Sequence, residues 1–118
     1  MKDKVFDWYK QALELNEQLY AVLGELFKGN DFVTYCVEVS RWDTFVSLRV
    51  FAMISPNRGI SEELSELAGT FSADVMFQHT QQETIDGFVD KVVNDIMPFN
   101  RRAAIVADIA NKNKQNND

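Results

Sequence analysis

Two alternating runs, FVTYCVEVS at 32–40 and TFVSLRVFAMI at 44–54, flank the tripeptide RWD. Successive side chains of a strand point to opposite sides, so each run divides into two sets. Val33, Tyr35, Val37 and Val39, with Val46, Leu48, Val50, Ala52 and Ile54, make one wholly apolar face. Thr34, Cys36, Glu38 and Ser40, with Phe45, Ser47, Arg49, Phe51 and Met53, make a mixed one. The odd positions of the first run share a face with the even positions of the second only if the loop between them has an even number of residues. One such register sets Val39 against Val46, Val37 against Leu48, Tyr35 against Val50 and Val33 against Ala52. It places Glu38 opposite Ser47 and diagonal to Arg49, within reach of a cross-strand ion pair. A hairpin with a face this apolar must be covered by the rest of the chain, and its mixed face is either a second covered layer or a surface offered to a partner.

The cover is legible on both sides of the hairpin. From Lys4 to Phe27, apolar residues from Val5 and Trp8 through Leu19, Leu23 and Phe27 fill about half the circumference of a helix, wider than the usual stripe of roughly 100°. Such a helix is expected to contact two elements, the sheet and another helix. Asn16 falls inside the apolar arc, where a buried amide must find a hydrogen-bond partner. Gly29 is placed to end the helix in a left-handed conformation. After the turn sequence SPNRG, Ser61 can cap a short helix through Ala68, with Gly69 closing it. Residues 72–79 alternate as a third strand does, although a 64/68/71/75 spacing would also continue the helix. Thr80 and Glu83 fit a capping box. Ile85, Phe88, Val89, Val92, Val93 and Ile96 follow at helical spacing, with Pro98 ending or kinking that helix. A last helix over about 100–110 carries Ile105, Val106 and Ile109 inward, and Arg101 and Arg102 at its start would oppose the helix dipole. The segment 112–118 has no apolar residue and is expected to be a disordered tail on a single globular domain of residues 1–111.

The expected fold is therefore α+β: an antiparallel meander of three strands with helices packed on one face, in the order α-β-β-(α)-β-α-α. This order is similar to that of the double-stranded RNA-binding fold in topology alone. The basic loop and helix residues of that family are absent, so no function follows from the likeness.

Composition narrows the function. At 118 residues, 46% hydrophobic and 25% charged, the chain is the size and kind of one soluble domain. Its single cysteine makes no internal disulfide, and neither a leader-like nor a membrane-spanning apolar run is present, which gives a cytoplasmic expectation. The net charge of −6 is concentrated: Glu62, Glu63, Glu66, Asp74, Glu83, Asp86, Asp90 and Asp95 face only Lys91 between 61 and 97. That half repels a nucleic-acid backbone and favours basic partners.

Catalytic and metal signals are weak. His79 is the only histidine, without a second ligand at zinc spacing. Cys36 is expected to fill space on the mixed face, with Arg49 opposite it as the one cation that could activate it. Glu83, Asp86 and Asp90 read as the solvated side of a helix rather than as paired acids. No glycine-rich phosphate loop exists, and no cofactor is expected. The resulting expectation is a small non-enzymatic protein-interaction domain that associates with itself, with Phe45, Arg49, Phe51 and Met53 as contact residues. In one version it is an acidic inhibitor that docks on a basic nucleic-acid-handling protein through Glu62, Glu63 and Glu66. The alternative is a nucleic-acid-binding module that uses the basic-aromatic group Arg41, Trp42 and Arg49.

Overall fold

A computed structural model describes residues 2–55, 67–78 and 82–116. In chain order these form α1 (Lys2–Leu26), β1 (Val33–Arg41), β2 (Val46–Ile54), β3 (Gly69–Phe77), α2 (Gln82–Asp86), α3 (Phe88–Asp95) and α4 (Met97–Asn116). The strands make one open antiparallel sheet in the order β1-β2-β3. The α+β meander is thus as expected from the sequence. The short helix of 61–68, the SPNRG turn beyond Ser55 and the Thr80 capping box lie outside the described residues, apart from Leu67 and Ala68, which are not helical. Gly69 opens β3 instead of closing a helix.

The middle strand shows why one face must be the core. Val46, Leu48, Val50 and Ala52 are wholly buried and Ile54 nearly so, while every alternate residue of β2 is half-buried or exposed. α1 lies across β1 and β2 and also meets α3, the two-element contact that its wide apolar arc requires. Leu19, Leu23, Val92, Phe99 and Val106 bring α1, α3 and α4 into the same core. The chain measures 62 × 22 × 19 Å. Among the described residues, the helices that pack on the sheet share one core with its apolar face.

The hairpin loop is even, as face-sharing requires, but the register is displaced by two residues from the one expected. Val39 faces Leu48, Val37 faces Val50, Tyr35 faces Ala52 and Val33 faces Ile54. The cause is local. The Trp42 N–H donates to the Phe45 carbonyl at 2.9 Å, and the two rings stack at 5.8 Å between centroids. Residues 42–45 close the turn, so Arg41 and Val46 already pair. Two consequences follow on the mixed face: Glu38 comes directly opposite Arg49 instead of Ser47, and Cys36 faces Phe51, not Arg49.

Gly29, at φ 77°, turns the chain out of α1 as a left-handed residue. Asn30 next to it accepts from the Phe32 N–H and donates from Nδ2 to the Ala103 carbonyl, both at 3.0 Å, which ties this turn to α4. Asn16 also finds its partner: its Nδ2 reaches the Val37 carbonyl at 3.4 Å. Beside it, the Tyr20 hydroxyl accepts from the Val37 N–H at 3.1 Å. Two side chains of α1 therefore close the outer edge of β1 at its midpoint.

The C-terminal helices are one bent run. Gly87 N–H bonds to Glu83 and Lys91 N–H to Gly87, so helical bonding crosses the α2–α3 joint. It also crosses Ile96, through Ile96 to Val92 and Asn100 to Ile96. Pro98 lies in the first turn of α4, where its missing N–H has no helical duty. The last helix therefore begins at Met97, and Arg101 and Arg102 stand past its first turn, away from the dipole conflict expected of them. Ile105, expected inside, is 49% exposed because the buried stripe runs Phe99, Ala103, Val106. α4 keeps helical backbone to Asn116, into the segment expected to be a disordered tail from residue 112; extending an existing helix requires no new nucleus.

Candidate functional site: the helix-free face of the sheet

Parity and pairing together map this face rung by rung. Thr34, Met53 and Thr70 form one rung, then Cys36, Phe51 and Ser72, then Glu38, Arg49 and Asp74, then Ser40, Ser47 and Met76. Phe45 and the 57%-exposed Trp42 extend it past the hairpin end. Phe45 and Phe51 are half-buried, while Met53 and Met76 are exposed. None of Phe45, Phe51 and Met53 belongs to the core or to the side chains packed against it.

The central rung sets the electrostatics. Arg49 stands directly between Glu38 and Asp74, so the only cation of the four rungs is flanked by two carboxylates. Among the described residues the one ion pair shorter than 4.0 Å is Lys112–Asp108 on α4. The three charges of the rung therefore stay in water, near enough to attract but not locked. The face offers apolar matter at both ends and a slightly acidic polar band between.

Sequence reasoning brought Phe45, Arg49, Phe51 and Met53 to one face. It missed Asp74 and Met76, although the alternation of 70–77 contains them: once β3 pairs with β2, Asp74 must sit beside Arg49. Glu62, Glu63 and Glu66 lie outside the described residues, as does His79. The basic-aromatic trio is dispersed. Arg41 falls on the other parity, its guanidinium 5.5 Å from the Tyr9 ring of α1, while Arg49 is on the helix-free side and Trp42 lies against Phe45.

Two clefts are also present, the second bordering this face at the hairpin end. One, of about 190 Å³, runs between α1 and α2 past Gln11, Leu15, Ile85 and Asp86. There Gln82 donates to Gln11 and Asp86, both at 2.8 Å. The other, of about 340 Å³, is bounded by Val5, Arg41, Trp42 and Asp43. Small-molecule sites are usually larger or deeper and converge several polar groups. Among the described residues, no three of His, Cys, Asp and Glu gather as metal ligands do, and no helix is long and apolar enough to cross a membrane. Glu83, Asp86 and Asp90 are exposed on α2 and α3. No protein-family model, curated protein or solved structure matches this chain.

Proposed function

We propose that this chain is a non-enzymatic protein-interaction domain whose docking surface is the helix-free face of the sheet, with a second copy of the chain among its partners. The observation that carries this reading is the row Phe45, Phe51, Met53 and Met76 on a face with no helix of the described residues over it. Aromatics and methionines around one arginine are what interface centres are made of. Methionine adapts its shape to a partner, and Phe51 on the middle strand is held by neighbours on both sides. The flanking of Arg49 by Glu38 and Asp74 favours a protein surface over a phosphate backbone, since the carboxylates offset the cation.

Site-specific photo-cross-linking in the source cell tests this. A benzophenone side chain at position 51 is expected to give adducts whose mass identifies the partner, twice the chain mass marking a second copy. The same group at Gln18, exposed on α1, is expected to give only background. Equal yields at the two positions count against the face. The acidic-inhibitor version adds that reversing Glu62, Glu63 and Glu66 to lysine abolishes retention of a basic partner. Unaltered retention removes that version and leaves the face standing.

A further inference from the structure

The hydrogen bonds at the hairpin fix which backbone groups of each strand point outward. Val37 gives its N–H to Tyr20 rather than to β2, so in β1 the odd residues face away from β2 and the even ones bond to it. Trp42 bonding to Phe45 and Ser55 to Phe32 agree with that phase. An antiparallel ladder alternates strictly. The partners of those even residues, Ser47, Arg49, Phe51 and Met53, therefore bond to β1, and Val46, Leu48, Val50, Ala52 and Ile54 bond to β3. In β3 this commits Gly69, Phe71, Ala73, Val75 and Phe77 to the sheet and turns the N–H and C=O of Thr70, Ser72 and Asp74 outward. Among the described residues, none of these three has a side-chain or backbone partner beyond the sheet.

Among the described residues that edge lacks most of the usual protections. β3 runs nine residues, GTFSADVMF, with no lysine and no proline. Its pairing with β2 is unbroken from end to end, so it has no bulge. Its inner face is also incompletely covered. Gly69, Phe71 and Ala73 are half-buried, whereas the β2 residues beside them are at most 2% exposed. Among the described residues only the first turns of α4, through Phe99 and Arg102, reach over this side of the sheet.

We infer that β3 pairs with β3 of a second copy, antiparallel and about a two-fold axis at Ala73, which joins two sheets into one of six strands. Charge and centring select this register. Its axis lies at the middle residue of the strand, and its central pairs bring the outward groups of Ser72 and Asp74 together. It sets Ser72 opposite Asp74 of the other copy, twice, so that each carboxylate meets a hydroxyl. A shift of one step toward the strand end would place the two Asp74 side chains face to face, and like charges in that position destabilise. The two Ala73 residues meet where the strands approach most closely, and Phe71 comes opposite Val75, covering what one chain leaves half-exposed. The helix-free faces of the two copies become continuous. That the doubled face is a docking surface rests on the function proposed above; the strand pairing does not. Interfaces of this size are weak, with dissociation constants on the order of micromolar.

The test uses the full chain, with mass measured by sedimentation equilibrium over a range of concentrations. Ser72→Pro removes an outward donor and leaves the internal ladder intact, since proline is tolerated on an edge strand whose N–H faces solvent. A concentration-dependent dimer is expected, its dissociation constant raised about tenfold or more in Ser72→Pro and unchanged in Gln18→Ser, on the exposed side of α1. A wild-type chain that stays monomeric overturns the pairing. So does a dimer kept in Ser72→Pro and lost in Phe51→Ser, which instead assigns association to the face. If Ser72→Pro fails to fold, Ala73→Cys in a Cys36→Ser background decides. A covalent dimer on mild oxidation supports the two-fold at Ala73, and its absence overturns it.

Discussion

At the outer edge of β1, the Val37 N–H meets the Tyr20 hydroxyl and its carbonyl meets the Asn16 amide; at the outer edge of β3, Thr70, Ser72 and Asp74 present the same backbone groups with no such side chains beside them. Among the described residues the sheet is thus finished on one side and unfinished on the other. α1 accounts for the difference. It is the longest helix, it lies across β1 and β2, and its polar exceptions, Asn16 and Tyr20, fall where the strand edge runs past it. α4 meets β3 mainly at its start, where the Phe71 and Phe99 rings approach within 6.4 Å. A buried backbone group without a partner is costly, and an exposed one is a template for another strand. The contrast therefore separates a device for ending a sheet from a site for continuing it.

The largest expected effects measure how well each edge strand is covered. Leu19→Ala, on α1 and wholly buried, is expected to cost about 2–5 kcal/mol in urea unfolding. Phe71→Ala on the half-covered inner face of β3 is expected to cost about 1–2 kcal/mol, well below the value for a fully buried phenylalanine. Equal losses at the two positions would mean that β3 is as well covered as β1, and the contrast would fail.

Next in size is removal of the device itself. Asn16→Ala with Tyr20→Phe leaves the Val37 N–H and C=O without side-chain partners, a loss of about 1–3 kcal/mol. It should also change assembly. A sheet with one open edge stops at two copies, because a two-fold contact uses both edges up; a sheet with two can go on adding chains. Light scattering of the double variant is expected to show species heavier than a dimer. A double variant that keeps the wild-type mass would show that some other feature blocks β1.

Much of this architecture was legible in the sequence, and the part that was not has a common cause. Strict alternation in 32–54 fixed the faces, because period two tolerates no slip. The register was missed by two residues, because the bond and ring contact joining Trp42 to Phe45 carry no periodic signal. Asn16 was visible as an exception within an apolar arc, but its partner lies 21 positions along the chain, so its role at a strand edge could not be read locally. Ile105 is exposed because it stands about 100° around the helix from Val106, off the stripe that Phe99, Ala103 and Val106 bury. On the candidate face, the residues of the hairpin were found and Asp74 and Met76 were not. Their place depends on long-range pairing of β3 with β2, which no window of sequence contains.

Arg49→Glu is the control that belongs to neither edge. It leaves the central rung with three carboxylates in a row, those of Glu38 and Asp74 and the one introduced between them, and is expected to cost about 0.2–1 kcal/mol. Because all three positions are exposed, the loss should shrink as salt is raised. A loss that persists at high salt would mean that Arg49 is held by packing and not by its neighbours' charge.

Amide exchange reads the two edges without perturbing either. In dilute solution the Val37 amide should exchange slowly, since opening it requires α1 to release Tyr20, while the Ser72 and Asp74 amides should exchange close to the rate of an unprotected chain. Raising the protein concentration should slow Ser72 and Asp74 and leave Val37 as it was, because the partner strand takes up only the outward groups of β3. The amides of Ala73 and Val75 are the internal reference: they point into the sheet and should be protected at every concentration. If Ser72 is already as slow as Val37 in the dilute chain, β3 has cover of its own and its edge is not a place where a second copy adds.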